Sequence, residues 1–328
     1  MRTPTNRRLL CVAAFGMWTA LTVHANADSY PNRTVRIVFG LSAGSSTDVM
    51  ARILAERLSQ KWGQGVIIDN RPGAAGNIAA DAVAKADPDG YTLLLSNNSI
   101  SIAPSFYKKL NYDPVKDLIP VTQLGMTPHV LCVNPKLPIK SVEDLVDMAK
   151  KKPGDIMYSS AGIGQTDHMA TALFAEMAGI KMTHVPYRGG PPALQAVMAG
   201  EVALDFPGIA AALPFLKDGT IRCIAVSSNK RSPAVPDLPT LNEAGIKGYD
   251  HSLWNGLFAP AGTPPEILKK ISAGFSEVLQ DPGVVKRLSG LGIEPVGSSP
   301  DAFNRYFQAE VAKWADVIKK TGIQAASK

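Results

Sequence analysis

The sequence has few of the residues that bind metals. Its 328 residues include 5 His and 3 Cys, which are scattered rather than set at the short spacings of a metal site. It also lacks a Gly-x-x-x-x-Gly-Lys-Ser/Thr loop and a Gly-x-Gly-x-x-Gly loop followed by a ribose-binding acid. Neither a nucleoside triphosphate nor a dinucleotide is therefore indicated. We expect no cofactor and no metal.

Long apolar runs are missing after residue 27, since none there approaches the roughly 20 residues of a membrane span. Blocks of Lys and Arg are missing as well. The chain has 34 Lys+Arg and 28 Asp+Glu, and residues 1–27 contain three of the basic residues and none of the acidic ones. Nucleic acid is a poor candidate partner for such a sequence, and the mild positive excess suits anionic ligands only weakly.

The N-terminal segment has the features of a secretory signal peptide. A basic region precedes a mostly apolar segment at residues 9–23, and Ala-Asn-Ala at 25–27 supplies a small-residue cleavage site. Cys11 lies near the start of the apolar segment, which is not the position of a lipid-attached cysteine. We predict cleavage after Ala27 and release into the periplasm.

Short apolar segments alternate with amphipathic patterns along the rest of the chain. The strand candidates are VRIVF, YTLLLS, HVLCV, DIMYSS, KMTHVPY, EVALDF, RCIAVS and WNGLFAP. The helical candidates, with apolar residues at i, i+3 and i+4, are TDVMARILAERLSQ, AGNIAADAVAKA, VEDLVDMAKKK, HMATALFAEMA, PPALQAVMA and PPEILKKISAGFSEVLQ. This alternation predicts an α/β class with mainly parallel sheets, and the length is enough for two domains.

Two cysteines, Cys132 and Cys223, lie inside strand candidates. A buried free cysteine behaves as a small apolar residue, while an oxidising compartment also permits a disulfide. Because the sequence does not place the two within bonding distance, we expect free thiols, with the disulfide as the alternative.

One loop motif occurs twice. Ser42-Ala43-Gly44 followed by Thr47-Asp48 recurs as Ser160-Ala161-Gly162 followed by Thr166-Asp167, with one extra residue in the loop. Both copies follow a strand candidate and open a helical one. Chance repetition of common turn residues is one explanation. The other, which we favour, is a pair of similar α/β domains that each present the same kind of loop.

The first copy also matches Gly-x-Ser-x-Gly at residues 40–44, the nucleophile elbow of α/β-hydrolases. That fold needs an upstream oxyanion-hole loop and a late acid followed by His, and the sequence has neither. A secreted hydrolase using Ser42 is therefore the alternative. A loop of Gly and hydroxyl residues at a helix N-terminus forms an anion site, because unpaired N–H groups and the helix dipole favour negative charge. Thr47 and Asp48 also suit helix capping, and Asp48 can pair with Arg52 at i+4.

Several longer segments carry a family resemblance. They are YPNRTVRIVFGLSAGSSTDVMAR, VIIDNRPGAAGNIAADAVAKADPDGYTLL, YSSAGIGQTDHMATALF, VPYRGGPPALQAVMAGEV, SPAVPDLPTLNEAG and GLFAPAGTPPEI. Together and in this order, over nearly the whole processed sequence, they resemble the Bug family, the periplasmic substrate-binding components of tripartite tricarboxylate transporters.

The resemblance implies a type II periplasmic-binding-protein-like (Venus flytrap) architecture, in which crossing strands join two α/β domains around a cleft for a carboxylated solute. By analogy, residues 1–27 are a signal peptide, domain 1 comprises 28–126 and 254–328, and domain 2 comprises 127–253. The protein would be a non-enzymatic receptor that delivers a di- or tricarboxylate to integral-membrane transporter subunits. We expect a monomer. A binding protein that serves signalling only is a further alternative.

In the family, two equivalent loops hold a carboxylate, largely through backbone amides and water; here they correspond to the first loop (residues 42–48) and the second loop (residues 159–168). The resemblance assigns to ligand binding Ser42, Ala43, Gly44, Ser45, Ser46, Thr47, Asp48, Ser160, Ala161, Gly162, Gly164, Gln165, Thr166 and His168. We add Asn97, Phe206 and Pro207, because open α/β sheets bind ligands at the carboxyl ends of their strands. Asn97 equally suits a turn, Phe206 a core position and His168 a structural role.

Two departures from the family pattern lie where the ligand would be recognised. The first loop lacks the usual Pro and paired Gly at residues 41–46, and Gln165 stands where Ser or Thr is usual. The resemblance therefore does not determine which acid is bound.

Overall fold

The computed structural model describes residues 29–40, 43 and 45–323, with Ser46 described by its backbone alone. The predicted signal peptide and its cleavage site lie outside the described residues, as do Ser42 and Gly44 of the first loop.

The described chain forms two sheets flanked by helices. The strands are β1 (Val35–Phe39), β2 (Val66–Asn70), β3 (Thr92–Asn97), β4 (Leu118–Pro128), β5 (Val130–Val133), β6 (Met157–Ser160), β7 (Thr183–Pro186), β8 (Leu204–Asp205), β9 (Arg222–Val226), β10 (Ser252–Pro260) and β11 (Glu294–Pro295). The α-helices are α1 (Ser46–Trp62), α2 (Asn77–Ala84), α3 (Ser99–Phe106), α4 (Val142–Lys151), α5 (Thr166–Ala178), α6 (Gly190–Ala199), α7 (Ile209–Lys217), α8 (Pro265–Gln280), α9 (Pro282–Gly290) and α10 (Pro300–Thr321).

The first sheet has the strand order β11-β4-β10-β3-β1-β2. β1 pairs in parallel with β2 and β3, whereas β10 runs antiparallel to β3 and β4. Alternate residues of the strands point to opposite faces of the sheet. One face packs against α1, α8 and α9, and the other against α2 and the first part of α10.

The second sheet has the strand order β7-β6-β8-β5-β9. β6 pairs in parallel with β7 and β8, and β5 runs antiparallel to β8 and β9. Helices α4 and α5 cover one face, and α6 and α7 cover the other. We call the first sheet with its helices the first half, and the second sheet with its helices the second half. Helix α10 also reaches the second half, since Trp314, Val317 and Ile318 are buried in the core formed with α4 and α5.

Both sheets are mixed, whereas the alternation of strands and helices predicts mainly parallel ones. The antiparallel pairs arise because β4 leads from the first sheet towards β5 and β10 leads back into the first sheet beside β4. We refer to β4 and β10 as the crossing strands. β4 is not among the strand candidates, because Pro120, Gly125 and Pro128 interrupt its pattern.

Cys132 and Cys223 form a disulfide, so the expectation of free thiols is wrong. The antiparallel pairing of β5 and β9 places the two residues directly opposite each other, with Cα atoms 3.9 Å apart. The cysteines are 91 residues apart in the chain, and nothing in either strand pattern specifies its neighbour in the sheet.

Candidate functional site

The two copies of the loop motif have the same place in the two halves. The first loop joins β1 to α1, and the second loop joins β6 to α5, as predicted. Both helices are long enough to have a developed N-terminal dipole, with 17 residues in α1 and 13 in α5. Each loop therefore presents the positive end of a helix.

In the first loop, the described side chains serve the helix and its neighbours. Ser45 caps α1, since its Oγ accepts the N–H of Asp48 at 3.2 Å. Asp48 is buried, forms the predicted ion pair with Arg52 at 3.0 Å and accepts a hydrogen bond from Asn70 Nδ2 at 3.0 Å. Ala43 is exposed. The carboxylate of Asp48 thus organises the start of α1.

In the second loop, an aspartate and a histidine bind the loop backbone from α5. Asp167 Oδ2 accepts the N–H of Ala161 at 2.5 Å, and His168 Nδ1 accepts the N–H of Gly164 at 3.1 Å. Burial raises the pKa of Asp167 to about 6. Burial and then the charge of Asp167 raise the pKa of the neighbouring Asp205 well above its usual range.

Two further amides of the second loop are also used internally. The N–H of Gly162 donates to Ser160 Oγ at 3.1 Å, and the N–H of Gln165 donates to the Gly162 carbonyl at 3.2 Å. Four backbone donors that the resemblance assigns to the ligand therefore have acceptors within the loop. An anion at this position would meet the first turn of α5, which begins at Thr166.

A stack of rings supports the second loop. The His168 and His184 rings are 3.9 Å apart, and Tyr158 stacks on His184 at 4.9 Å. His184 Nε2 lies 2.6 Å from Ser160 Oγ. Burial, then the proximity of His184, lower the pKa of His168 to about 3, and burial lowers the pKa of His184 to about 4. Both rings are therefore neutral at pH 7, which fits a structural role for His168.

The three added residues have hydrogen-bond or packing partners within the protein. Asn97 Oδ1 accepts the N–H of Ser99 at 3.0 Å, which is the turn role considered for it. Phe206 is fully buried, with its ring 5.8 Å from that of Phe174, and so occupies a core position. The carbonyl of Pro207 accepts the N–H of Val130 at 3.0 Å.

The repeated threonine connects each loop to a crossing strand. Thr47 Oγ1 donates to Asn255 Oδ1 on β10 at 3.0 Å, and Thr166 Oγ1 lies 3.4 Å from His129 Nε2, directly after β4. Thr47 and Thr166 are equivalent positions of the motif. Both helix N-termini therefore converge on the same pair of strands.

The crossing strands contain buried polar atoms that have no hydrogen-bond partner among the described residues. On and next to β4 and β10 these atoms are Gln123 Nε2, Thr127 Oγ1, His129 Nδ1, His251 Nδ1 and Nε2, Ser252 Oγ and Asn255 Nδ2. Most buried polar groups in proteins are paired, so such a concentration marks a candidate binding region. These residues are absent from the sequence-based prediction, although a polar residue inside the apolar pattern WNGLFAP is a signal for Asn255.

His129 and His251 lie where the chain passes between the two sheets. Their rings stack at 5.2 Å, and His251 meets the edge of Trp314 at 5.3 Å. Burial lowers the pKa of His129 to about 4 and that of His251 well below its usual range. This pair is therefore neutral in the folded protein at pH 7.

The fold and this pair of loops define a solute-binding receptor. Residues 50–323 match the family model described as the tripartite tricarboxylate transporter family receptor, and the chain belongs to this family of periplasmic binding proteins. It is 36% identical over 318 residues to protein BugT of Bordetella pertussis, an alignment that covers 96% of this chain and 98% of BugT. The family resemblance seen in the sequence is confirmed.

Solved structures show the same architecture. A protein of R. palustris solved with adipate has a TM-score of 0.80 and 38% identity, over 90% of this chain and 99% of that one. MatC of Rhodopseudomonas palustris, solved with bound malate, has a TM-score of 0.76 and 33% identity, over 88% of this chain and 100% of MatC. The predicted two-domain α/β class is confirmed. The family consists of binding proteins and not enzymes, which confirms the prediction that this chain is a receptor rather than a hydrolase.

No helix in residues 29–323, as far as the structure describes them, has the length and apolar character that crossing a membrane requires. Within the same part of the chain, no group of His, Cys, Asp and Glu is arranged to hold a metal ion.

Proposed function

We propose that this receptor binds a di- or tricarboxylate in the cleft between two domains divided near residues 126 and 253, and delivers it to a membrane permease. The observation that carries the proposal is the convergence of two helix N-termini on the crossing strands through Thr47 and Thr166. Each N-terminus favours an anionic group, so a solute with two acidic or polar ends matches the pair.

The bound acids of two related structures support this choice of solute. One relative was solved with adipate and MatC was solved with malate, and both molecules are dicarboxylates. A helix start offers N–H groups and a positive dipole end, which favour an anion without a cationic side chain. The cleft would therefore recognise carboxylates through oriented dipoles rather than through ion pairs.

Closure of the cleft would follow from the same arrangement. A solute that touches both loops makes its full set of contacts only when the two halves approach, so binding selects the closed form through these differential contacts. Delivery to a permease would then depend on recognition of the closed form. Loss of solute uptake in a deletion strain would support transport, whereas normal uptake would favour a receptor for signalling only.

Processing is part of the proposal. We expect the exported protein to begin at Asp28, after cleavage following Ala27, and to be released into the periplasm. Mass spectrometry of the purified periplasmic protein would show this N-terminus. A chain that begins before Asp28, or that stays attached to the membrane, would contradict it.

A thermal-shift screen tests the solute class. The panel contains mono-, di- and tricarboxylates, including adipate, malate and citrate, with aromatic diacids and acidic amino acids. A ligand present at about 100 times its dissociation constant stabilises a protein by roughly 2.7 kcal/mol, which is visible as a higher melting temperature. We expect dicarboxylates or tricarboxylates to give the largest shifts. Shifts produced only by sugars, cations or peptides would refute the proposal.

A further inference from the structure

Asn255 occupies an unusual position on the crossing strand β10. The Asn255 side chain is fully buried. The register in which β10 pairs with β4 shifts directly after this residue, between Asn255 and Gly256. Irregularities of this kind often redirect a side chain next to a binding site. The Asn255 side chain reaches the first turn of α1, where its Oδ1 accepts the hydroxyl proton of Thr47 at 3.0 Å.

The bond from Thr47 determines what Asn255 can offer. An amide that accepts through Oδ1 must present its nitrogen elsewhere, and an amide nitrogen can only donate. Asn255 Nδ2 is buried and has no acceptor among the described residues. Since an unpaired buried donor costs free energy, the group that completes this position is a hydrogen-bond acceptor. The positive end of the α1 dipole next to it favours an acceptor with negative charge.

A second polar group lies on the same face of the crossing strands. Asn255 is opposite Gly125, and Thr127 is two residues further along β4, so both side chains point to one face of the sheet. Thr127 Oγ1 is also buried without a partner among the described residues. Its methyl group lies against Gly208 in the second half, since a Cβ built on Gly208 would be 4.0 Å from Thr127 Cγ2.

We propose that Asn255 and Thr127 form a third part of the solute site, between the two loops, in which Asn255 Nδ2 donates to a carboxylate oxygen of the solute. The inference rests on the proposed function and adds a specificity-determining residue on a crossing strand. Because the atom of Asn255 without a partner is the donor Nδ2, this position favours an acid over an amine. Thr127 contributes its hydroxyl to the same end of the solute.

The test compares matched variants in calorimetric titrations with adipate, malate and citrate at pH 7.5. Asn255→Asp keeps an oxygen for the Thr47 hydroxyl but replaces the donor by a group that repels a carboxylate. We expect it to weaken binding at least 100-fold, and its affinity to recover as the pH is lowered and the new carboxyl gains a proton. Asn304→Asp adds the same charge at an exposed position of α10 and should bind as the unmodified protein does.

Two further measurements keep the inference testable if Asn255→Asp folds poorly. Thr127→Val keeps the shape of the side chain and should weaken binding about 10-fold. In the unmodified protein labelled with ¹⁵N-asparagine, saturation with the same acid should move the side-chain amide signal of Asn255. An unmoved signal, or unchanged affinity in Asn255→Asp, would overturn the role of Asn255 while leaving the proposed function intact. If no acid of the panel binds the unmodified protein, both proposals fail.

Discussion

Asp48 and Asp167 occupy equivalent positions of the repeated motif, yet they make different contacts. Asp48 pairs with Arg52 four residues later, whereas the residue four after Asp167 is Thr171, whose hydroxyl donates to the Asp167 carbonyl. No ion pair to Asp167 occurs among the described residues, and its carboxylate accepts a hydrogen bond from the N–H of Ala161 instead. One motif therefore gives a salt-bridged helix start in the first half and a buried carboxyl under the loop in the second.

The histidines and the disulfide are also distributed unequally between the two halves. All histidines in the described residues lie in the second half or at the crossing strands, at positions 129, 168, 184 and 251. The disulfide joins two strands of the second sheet. The second half thus depends on neutral buried histidines and a covalent link, both of which respond to solution conditions.

The largest expected effect is the loss of stability in acid that comes from the buried histidines. Burial lowers the pKa of His129 to about 4 and of His168 to about 3, so these groups take up protons on unfolding below the unfolded value of 6.5. Stability is therefore present above pH 6.5 and is lost as the pH falls towards 4. At pH 5 each of these two histidines should lower the free energy of unfolding by about 2 kcal/mol.

Urea unfolding at pH 7 and pH 5 measures this loss, and His168→Gln should reduce it by about 2 kcal/mol. Amide hydrogen exchange at pH 5 should show earlier opening of the second sheet than of the first. Because the raised pKa of Asp167 contributes with the opposite sign, the variant is the deciding comparison: an equal change between pH 7 and pH 5 in His168→Gln and in the unmodified protein would contradict the burial of a neutral His168.

Loss of the disulfide should also weaken the second half. The bond closes a chain segment with a sequence separation of 91 residues, which restricts the unfolded state strongly. Replacement of both cysteines by alanine should lower the free energy of unfolding by about 3 to 4 kcal/mol. Urea unfolding under non-reducing conditions checks this value. The same result after mild reduction of the unmodified protein would support it, and an unchanged midpoint in the double variant would contradict it.

The two motif aspartates should respond differently to pH when each is changed to asparagine. The pKa of Asp167 is raised by burial to about 6, so the stability that its protonated form provides is present below pH 3.8 and is lost as the pH rises through 6. The free energy of unfolding of Asp167→Asn, relative to that of the unmodified protein, should therefore rise by about 2 to 3 kcal/mol between pH 4 and pH 7.

Asp48→Asn is the matched variant. It removes the charge that pairs with the half-exposed Arg52 and should lower stability at pH 7 by about 1 kcal/mol. Urea unfolding of both variants across this pH range gives the comparison. The same pH dependence in both would show that the two aspartates are equivalent after all.

The smallest effects concern the repeated threonines. Thr47→Val and Thr166→Val each remove one hydroxyl while keeping the shape of the side chain. Thr47→Val loses the hydrogen bond that orients Asn255, and Thr166→Val loses the hydroxyl at the start of α5. If both loops contribute to solute binding, each change should weaken binding by about 0.5 to 1.5 kcal/mol, the value of one hydrogen bond. Titration with the best acid of the panel measures this, with Thr321→Val at the end of α10 as the control. A loss in only one of the two variants would indicate that a single loop binds the solute.

Local patterns in the sequence determined the secondary structure and the place of the motif. The strand candidates correspond to strands because β-branched apolar runs suit a buried sheet, and the motif predicted a strand, a loop and a helix in both halves. The ion pair of Asp48 with Arg52 was also predictable, since residues four apart meet on a helix surface. Helix α10 and strand β4 were not predicted, because their patterns are long or interrupted and their burial depends on both sheets.

Only the tertiary structure decided which distant residues meet. Thr47 and Asn255 are separated by 208 positions, and the two cysteines by 91. Periodicity records which face of a segment is apolar, but it carries no information on the neighbouring strand or its register. The buried donors of the crossing strands, and the disulfide across β5 and β9, exist because β4 and β10 bring the chain from one sheet to the other and back.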